Sequence, residues 1–315
     1  MERMVRSCII GAAIGDALGV PFEFKSREIM DNNPATTMIG RGTHNQPIGT
    51  WSDDTSMILA TMDAMILGLD YNSIMRNFSL WLYDAEFTPS GLVFDVGRTT
   101  DYAISRYKRV NTPAIECGDD NEKANGNGSL MRIAPFALYC YLKNKKCVID
   151  EKTSIVIHQG SSLTHSHPRS QIACGIYSSI VFALLKEQEK RSIYKGLKKA
   201  YKFYSCQNKY ENELKCFNIL FENGFEKFES SLIKSTGYVV DSLEAAVWCA
   251  LTTNSYEESV LKAVNLGGDT DTIASITGGI TGLLYGIESI PNEWKENLLR
   301  LDYIEDLCNS FAKAI

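Results

Sequence analysis

The chain reads as all-α, with about a dozen helices, and three observations carry that reading. Apolar residues recur at three- and four-residue spacing along most of the 315 residues. Sustained apolar/polar alternation, the mark of half-buried strands, is nearly absent. Glycine clusters (40–49, 118–128 and Gly267-Gly268) and prolines such as Pro21, Pro89, Pro113 and Pro168 fall at the edges of the periodic segments.

Taken in order, Val5, Cys8, Ile9 and Ala12 share one helix face. Arg3 and Arg6 precede this apolar stretch, but Asp16 interrupts it before any cleavage site, so it is a helix rather than a signal peptide. No run is read as approaching the ~20 apolar residues of a membrane span. Ile58, Met62, Met65, Ile66 and Leu69 form the next face. Helices are then expected near 72–84, 95–109, 129–142, 152–163, 169–187 and 210–222. Val240, Leu243, Val247, Ala250 and Leu251 mark another, followed by 255–265. The clearest stripe is Ile273, Ile276, Ile280, Leu283, Leu284 and Ile287, and a last helix is expected over 292–313. Region 186–235 is rich in Lys, Glu, Asn and Tyr; 186–202 reads as a solvated helical face, with a polyanion patch as the alternative.

A composition of 44% hydrophobic and 22% charged residues excludes a disordered or collagen-like chain. The length allows one or two domains, and the lack of a long Pro/Gly/Ser linker favours one compact domain over 1–315. Lys+Arg 32 against Asp+Glu 38, a net charge of −6, argues against a protein that grips nucleic-acid phosphates. The nine cysteines, at 8, 117, 140, 147, 174, 206, 216, 249 and 308, are odd in number and scattered, with no CxxC. They imply buried, reduced thiols in a cytoplasmic protein rather than a disulfide framework or a cysteine zinc site.

Two segments carry the strongest chemistry. Ser52-Asp53-Asp54-Thr55 opens an amphipathic helix, and capping accounts for one of these residues but not for paired carboxylates between hydroxyls. The set offers hard oxygen donors of the kind Mg²⁺ or Mn²⁺ takes. Gly267-Gly268-Asp269-Thr270-Asp271-Thr272 repeats that grammar before a strongly apolar helix. Two such starts could share one dinuclear site that activates water or orients hydroxyls.

Four further segments are weaker. Asn125-Gly126-Asn127-Gly128-Ser129 is a small-residue loop whose N–H groups suit a diphosphate, or else a Gly-rich connection ending in a Ser cap. His165 and His167 precede Pro168; a histidine donating to phosphate or ribose fits a hard-ion site better than a zinc ligand does. Glu23 follows a Gly- and Pro-containing helix exit, and Asp95 reads most simply as an N-cap. His44 and His158 have no context that raises them.

In order, GDALGVPFEF, GTWSDDTSMILA, FDVGRTT, NGNGSLMRIAPFAL, LTHSHPRS, YVVDSLEAAVWCAL and AVNLGGDTDTIASITGGITGLLYG resemble the ADP-ribosylglycohydrolases, over about residues 7 to 287. FDVG and NGNGSLMR look closer to the bacterial dinitrogenase-reductase-activating, ADP-ribosylarginine hydrolase type than to the serine-directed animal enzymes. The resemblance implies a single-domain orthogonal helical bundle with two divalent cations, Mg²⁺ or Mn²⁺, in a cleft. It places one ion on Ser52, Asp53 and Asp54 and the other on Asp269, Asp271 and Thr272, with Asp271 between them. Ser52 stands where the family often has Thr, which keeps the hydroxyl.

The same resemblance makes Glu23 a mobile-loop glutamate near the metal and sets Asp95 against the scissile ribose; with Asp54 these are the expected catalytic carboxylates. Gly126, Asn127, Gly128 and Ser129 would cradle the diphosphate, His165 would contact phosphate or ribose, and Tyr238 would line the adenosine or target side. The implied reaction releases ADP-ribose from a modified protein, most naturally from arginine, through an oxocarbenium-like or ring-opened species. The alternatives are serine-O-, nucleobase- or small-molecule-linked ADP-ribose, a silent ADP-ribose-binding relative, and a dinuclear phosphohydrolase releasing AMP. A monomer is expected, with an ADP-ribosylated protein as partner and neither membrane nor nucleic acid.

Overall fold

The computed structural model describes residues 1–144 and 148–315, so Cys147 lies outside the described residues. Fifteen α-helices follow one another among them. They are α1 (Glu2–Gly19), α2 (Arg27–Asn32), α3 (Asp53–Met65), α4 (Tyr71–Asp84) and α5 (Arg98–Val110). Then come α6 (Ala134–Asn144), α7 (Glu151–Ser162), α8 (Pro168–Lys186), α9 (Lys190–Ser205) and α10 (Glu211–Leu214). The last are α11 (Val239–Thr252), α12 (Tyr256–Asn265), α13 (Thr270–Tyr285), α14 (Asn292–Asn297) and α15 (Leu301–Ala314). No strand forms among the described residues; backbone pairing outside helices is limited to isolated bridges such as Gly126 with Tyr238.

The two most apolar segments pair at the centre. α1 and α13 run antiparallel and touch backbone to backbone, because a Cβ at Gly11 or at Gly278 would come closer than 3.0 Å to the other's carbonyl oxygen. Tyr256 seals the contact by donating its hydroxyl to Gly11 O at 2.7 Å. Helices α3, α8, α11, α12 and α15 pack around this pair. Ile9, Ile14, Leu18, Ile273, Ile280 and Leu283 are fully buried, each contributing roughly 1.5–3 kcal/mol by leaving water. The one-faced pattern expected for the first helix therefore understates it, since it is buried on every side from Ser7 to Gly19. The stretch Glu2–Phe22 is in fact long and apolar enough to cross a membrane by length and composition, contrary to expectation, and nearly all of it is packed inside the fold.

Four other boundaries differ from the sequence reading, each for a local reason. The helix expected over 129–142 begins at Ala134, because Pro135 has no N–H and fits only a first turn. The helix expected over 95–109 begins at Arg98 with Gly97 as its cap; Asp95, read as that cap, instead takes a left-handed φ of 56°. The 210–222 segment is a single turn, α10, followed by 3₁₀ backbone over Lys215–Phe221. The last segment divides into α14 and α15 where Arg300 turns left-handed (φ 50°) and Leu299 N–H bonds Gly49 O at 3.1 Å. α9 is solvated on one face only, for Ile193, Leu197, Ala200 and Tyr204 are buried. The cysteines other than Cys147 are all free, and six are buried as expected. Cys206 and Cys216 are exposed, contrary to that expectation, because they fall at the solvated end of α9 and in the 3₁₀ stretch after α10.

Because α1 and α13 are antiparallel, α1 ends where α13 begins. The start of α3 is tied to that same end by Asp16.

Candidate active site

At the start of α3, Ser52 is the N-cap and accepts from Asp54 N–H at 3.3 Å. That leaves Asp53 and Asp54 free of capping duty. Asp16, fully buried near the end of α1, accepts the N–H of Ser52 (2.9 Å), the N–H of Thr55 (3.0 Å) and the Thr55 hydroxyl (2.6 Å). Thr55 is thus spent on Asp16 rather than offered to an ion.

The start of α13 is held differently. Gly268 has φ 75°, and a Cβ there would collide with Ser235 O, so only glycine fits. Its N–H bonds Lys25 O (2.8 Å) and its carbonyl accepts from Phe24 (2.7 Å), which pins the Glu23 segment beside it. Asp269 sits at the N-cap position but makes no cap; its Oδ2 accepts from Asn127 Nδ2 at 2.8 Å. The two starts touch where Thr272 Oγ1 donates to Asp54 Oδ2 at 3.1 Å.

A cleft of about 330 Å³ opens over this junction, lined by Glu23, Asp53, Asp95, Gly126, Asn127, Gly128, His165, Asp269 and Thr272, with Arg98 and Lys123 at its rim. Oxygens of Glu23, Asp269 and Asp271 lie within 4.8 Å of one another, and so do ligand atoms of Glu23, His44 and Asp95. His44 hydrogen-bonds Glu23 directly.

The electrostatics are those of a buried acidic cluster. Among the described residues, Asp53, Asp54, Asp269 and Asp271 make no ion pair. Asp54 Oδ1, Asp269 Oδ1 and Asp271 Oδ2 are buried without a hydrogen-bond partner. Burial first, then neighbouring carboxylates, pushes Asp53, Asp54 and Asp271 well above the usual carboxylate range. Burial lifts Asp16 to about 6 and Glu23 to about 7 despite the His44 bond. Buried, unpaired acidic oxygens from two helix starts are the donor set of hard divalent ions, so these residues can hold metal.

Other expected site residues fall in and around the cleft. Gly126 and Gly128 line it. Asn127 does too, but its amide holds Asp269 and Ser242 Oγ (2.9 Å), a supporting part rather than the cradling one expected. Ser129 is fully buried behind the loop, its hydroxyl accepting from Ser161 at 2.9 Å and lying 3.5 Å from Cys174 Sγ, so its side chain is turned from the cleft. His165 lines the wall with a pKa pushed down to about 3 by burial and by Arg132. Tyr238 pairs its backbone with Gly126 and lies under Arg169, outside the cleft lining. Asp16 and His44 were not singled out from sequence. Asp16 carried one signal, a lone acid inside an apolar helix, and His44 carried none.

The fold and site define an all-helical protein whose cleft floor is built from acidic residues at two helix starts, groups that could hold a metal ion. The chain's own matches agree: the family model for ADP-ribosylglycohydrolase covers residues 1–315. The chain belongs to that family and is a glycohydrolase. It is 29% identical to ADP-ribosylarginine hydrolase Tri1 of Serratia proteamaculans (strain 568), over 96% of this chain and 77% of that protein. It is 27% identical to the ADP-ribosyl-[dinitrogen reductase] glycohydrolase of Rhodospirillum rubrum, over 92% and 88% of the two chains. In fold it matches a solved ADP-ribosylglycohydrolase-related protein complex with a TM-score of 0.80 at 24% identity, covering 99% of this chain and 98% of that one.

Proposed function

We propose that this glycohydrolase cleaves the bond between ADP-ribose and the arginine side chain of a modified protein, releasing ADP-ribose. The observation that carries it is the convergence of Asp53, Asp54, Asp269 and Asp271, the last three each with an orphaned buried oxygen, at the cleft that Glu23 and Asp95 also line. In this reading Ser52, Asp53, Asp54, Asp269, Asp271 and Thr272 hold two divalent cations, Mg²⁺ or Mn²⁺. Bound there, the cations supply charge that orients ribose hydroxyls. The names of the Serratia and Rhodospirillum relatives both support the ADP-ribosyl bond, and that of the Serratia relative supports the arginine linkage.

The chain's residues then divide the work. The Gly126–Gly128 loop and His165 face the diphosphate, with Arg98 and Lys123 adding positive charge at the rim. Asp95 stands near the anomeric carbon, where positive charge develops as the C–N bond breaks. Glu23, lifted to about 7, holds or releases a proton at its carboxyl in the neutral range, the property of a group that activates water or serves the leaving guanidine. Water adds oxygen to the anomeric carbon, one proton passes to the leaving group, and free ADP-ribose results. The same reading takes 1–315 as one domain of a cytoplasmic monomer.

Product analysis with arginine-, serine- and nucleobase-linked ADP-ribose, with and without EDTA, tests it. ADP-ribose released from the arginine conjugate alone, and lost with EDTA, is expected. Release of AMP, or ADP-ribose binding with no turnover on any linkage, would overturn it.

A further inference from the structure

Behind the cleft wall lies a cation that, among the described residues, pairs with no carboxylate. Arg132 is fully buried, with its guanidinium 4.8 Å from the centre of the Phe78 ring. Nη1 donates to Gly160 O at 3.1 Å and Nη2 to Thr164 Oγ1 at 2.8 Å. Thr164 Oγ1 in turn lies 2.7 Å from His165 Nδ1.

These contacts decide where the protons are. An arginine only donates, so Arg132 occupies a lone pair of Thr164 and cannot receive its proton. Thr164 is fully buried, and among the described residues its hydroxyl has one other neighbour, His165 Nδ1. If Nδ1 carried a hydrogen and donated, the threonine proton would be left without an acceptor among the described residues in a fully buried site. Nδ1 therefore accepts, and burial together with Arg132 keeps the ring neutral. The single ring hydrogen is left on Nε2.

That edge lies against the two glycines of the cleft loop. A Cβ at Gly128 would come 3.0 Å from His165 Cε1 and 3.5 Å from Nε2, and one at Gly126 would come 3.6 Å from Nε2. With no side chain on either glycine, the Nε2 edge meets only loop backbone at the cleft wall that His165 lines.

We infer that Arg132 and Thr164 are positioning residues that hold His165 as its Nε2–H tautomer, so that a neutral imidazole donates a hydrogen bond to an anionic oxygen of the substrate. This rests on the proposed ADP-ribosyl substrate for the identity of that oxygen, a diphosphate or ribose oxygen, but not for the tautomer. A neutral donor suits a wall beside so many carboxylates, because it binds the anion without neutralising the acidic floor.

The test is long-range ¹H–¹⁵N spectroscopy of the full chain with ¹⁵N-labelled histidine, which separates the two neutral tautomers of each ring. The four histidines are His44, His158, His165 and His167, and His165 is assigned by its loss in His165→Asn. The wild type should show a protonated Nε2 and a bare Nδ1. Thr164→Val should mix the tautomers and raise KM about tenfold with a smaller change in kcat, and Thr164→Ser should restore both. An unchanged His158 signal, from a ring held between Tyr204 and Tyr210, reports that the variant has kept its fold. A wild-type Nδ1–H tautomer, or a folded Thr164→Val protein with pure Nε2–H, overturns the inference. If the spectra agree but no linkage is hydrolysed, the proposed function fails and the tautomer assignment stands.

Discussion

The starts of α3 and α13 are near-copies in residue type, yet the molecule supports them by unlike means. At α3, a buried carboxylate from the neighbouring helix, Asp16, gathers two N–H groups and a hydroxyl, so the turn is clamped from inside the core. At α13, the backbone itself is bent by Gly267 (φ 69°) and Gly268 (φ 75°), and the Asp269 carboxylate is steadied by Asn127 of the Gly-rich loop. Identical chemistry can thus be presented by a rigid clamp on one side and by a conformational exception on the other. The clamp belongs to stability, and the exception belongs to placement.

Predictions that break or sharpen this contrast run from large to small. Removing a carboxylate that both starts aim at the floor, by Asp53→Ala or Asp271→Ala, should cost about 10³-fold or more in turnover while helical circular dichroism is unchanged. Full activity in a folded variant would refute the shared site. Asn127→Ala frees Asp269 without touching the core, so activity or metal affinity should fall about 10–100-fold with little change in urea midpoint. Asp16→Ala should act the other way round, destabilising the fold by about 3 kcal/mol in urea titrations because three donors lose their acceptor. Gly268→Ala forces a left-handed, clashing alanine and should cost about 2 kcal/mol, with a loss of turnover larger than that of stability.

The smallest effect is on pH. Glu23 and Asp16 have folded pKa values raised to about 7 and about 6, above their ordinary 4.5 and 3.8. The folded state therefore binds more protons than the unfolded one across that window, so stability falls as pH rises from about 4 towards 7. In EDTA the melting temperature should drop by a few degrees from pH 5 to pH 8, and Mg²⁺ or Mn²⁺ should reverse the drop, since both ions bind the ionised form. A metal-free melting temperature that climbs over that range would contradict the raised values.

Much of this was legible beforehand. The 3.6-residue period located α3, α4, α7, α8, α11, α12 and α13, because each has to bury one stripe or more, and such stripes are written locally. The oxygen-rich segments at 52–55 and 267–272 stood out because a helix start needs one cap and each offers several. Asp95 was misread as a cap because nothing in Phe94-Asp95-Val96-Gly97 announces a left-handed aspartate; the cap falls to Gly97. Ser129 looked like part of the cradle because the loop's small residues are uniform in type, while its burial depends on Ser161 and Cys174 packed behind it.

By itself, then, the sequence determined an all-helical chain, the two acidic helix starts and the family to which they belong. Those features follow from spacing and residue chemistry within a few turns of chain. Only the tertiary structure decided that Thr272 reaches Asp54, that Asp16 is a clamp, that His44 meets Glu23, and which ring nitrogen of His165 is free. These are pairings between residues far apart in the chain or choices between two atoms of one ring. The junction of Asp54 with Thr272 depends on close packing of α1 against α13, through glycines that allow backbone contact, and in none of these pairings does a local pattern encode which group will arrive.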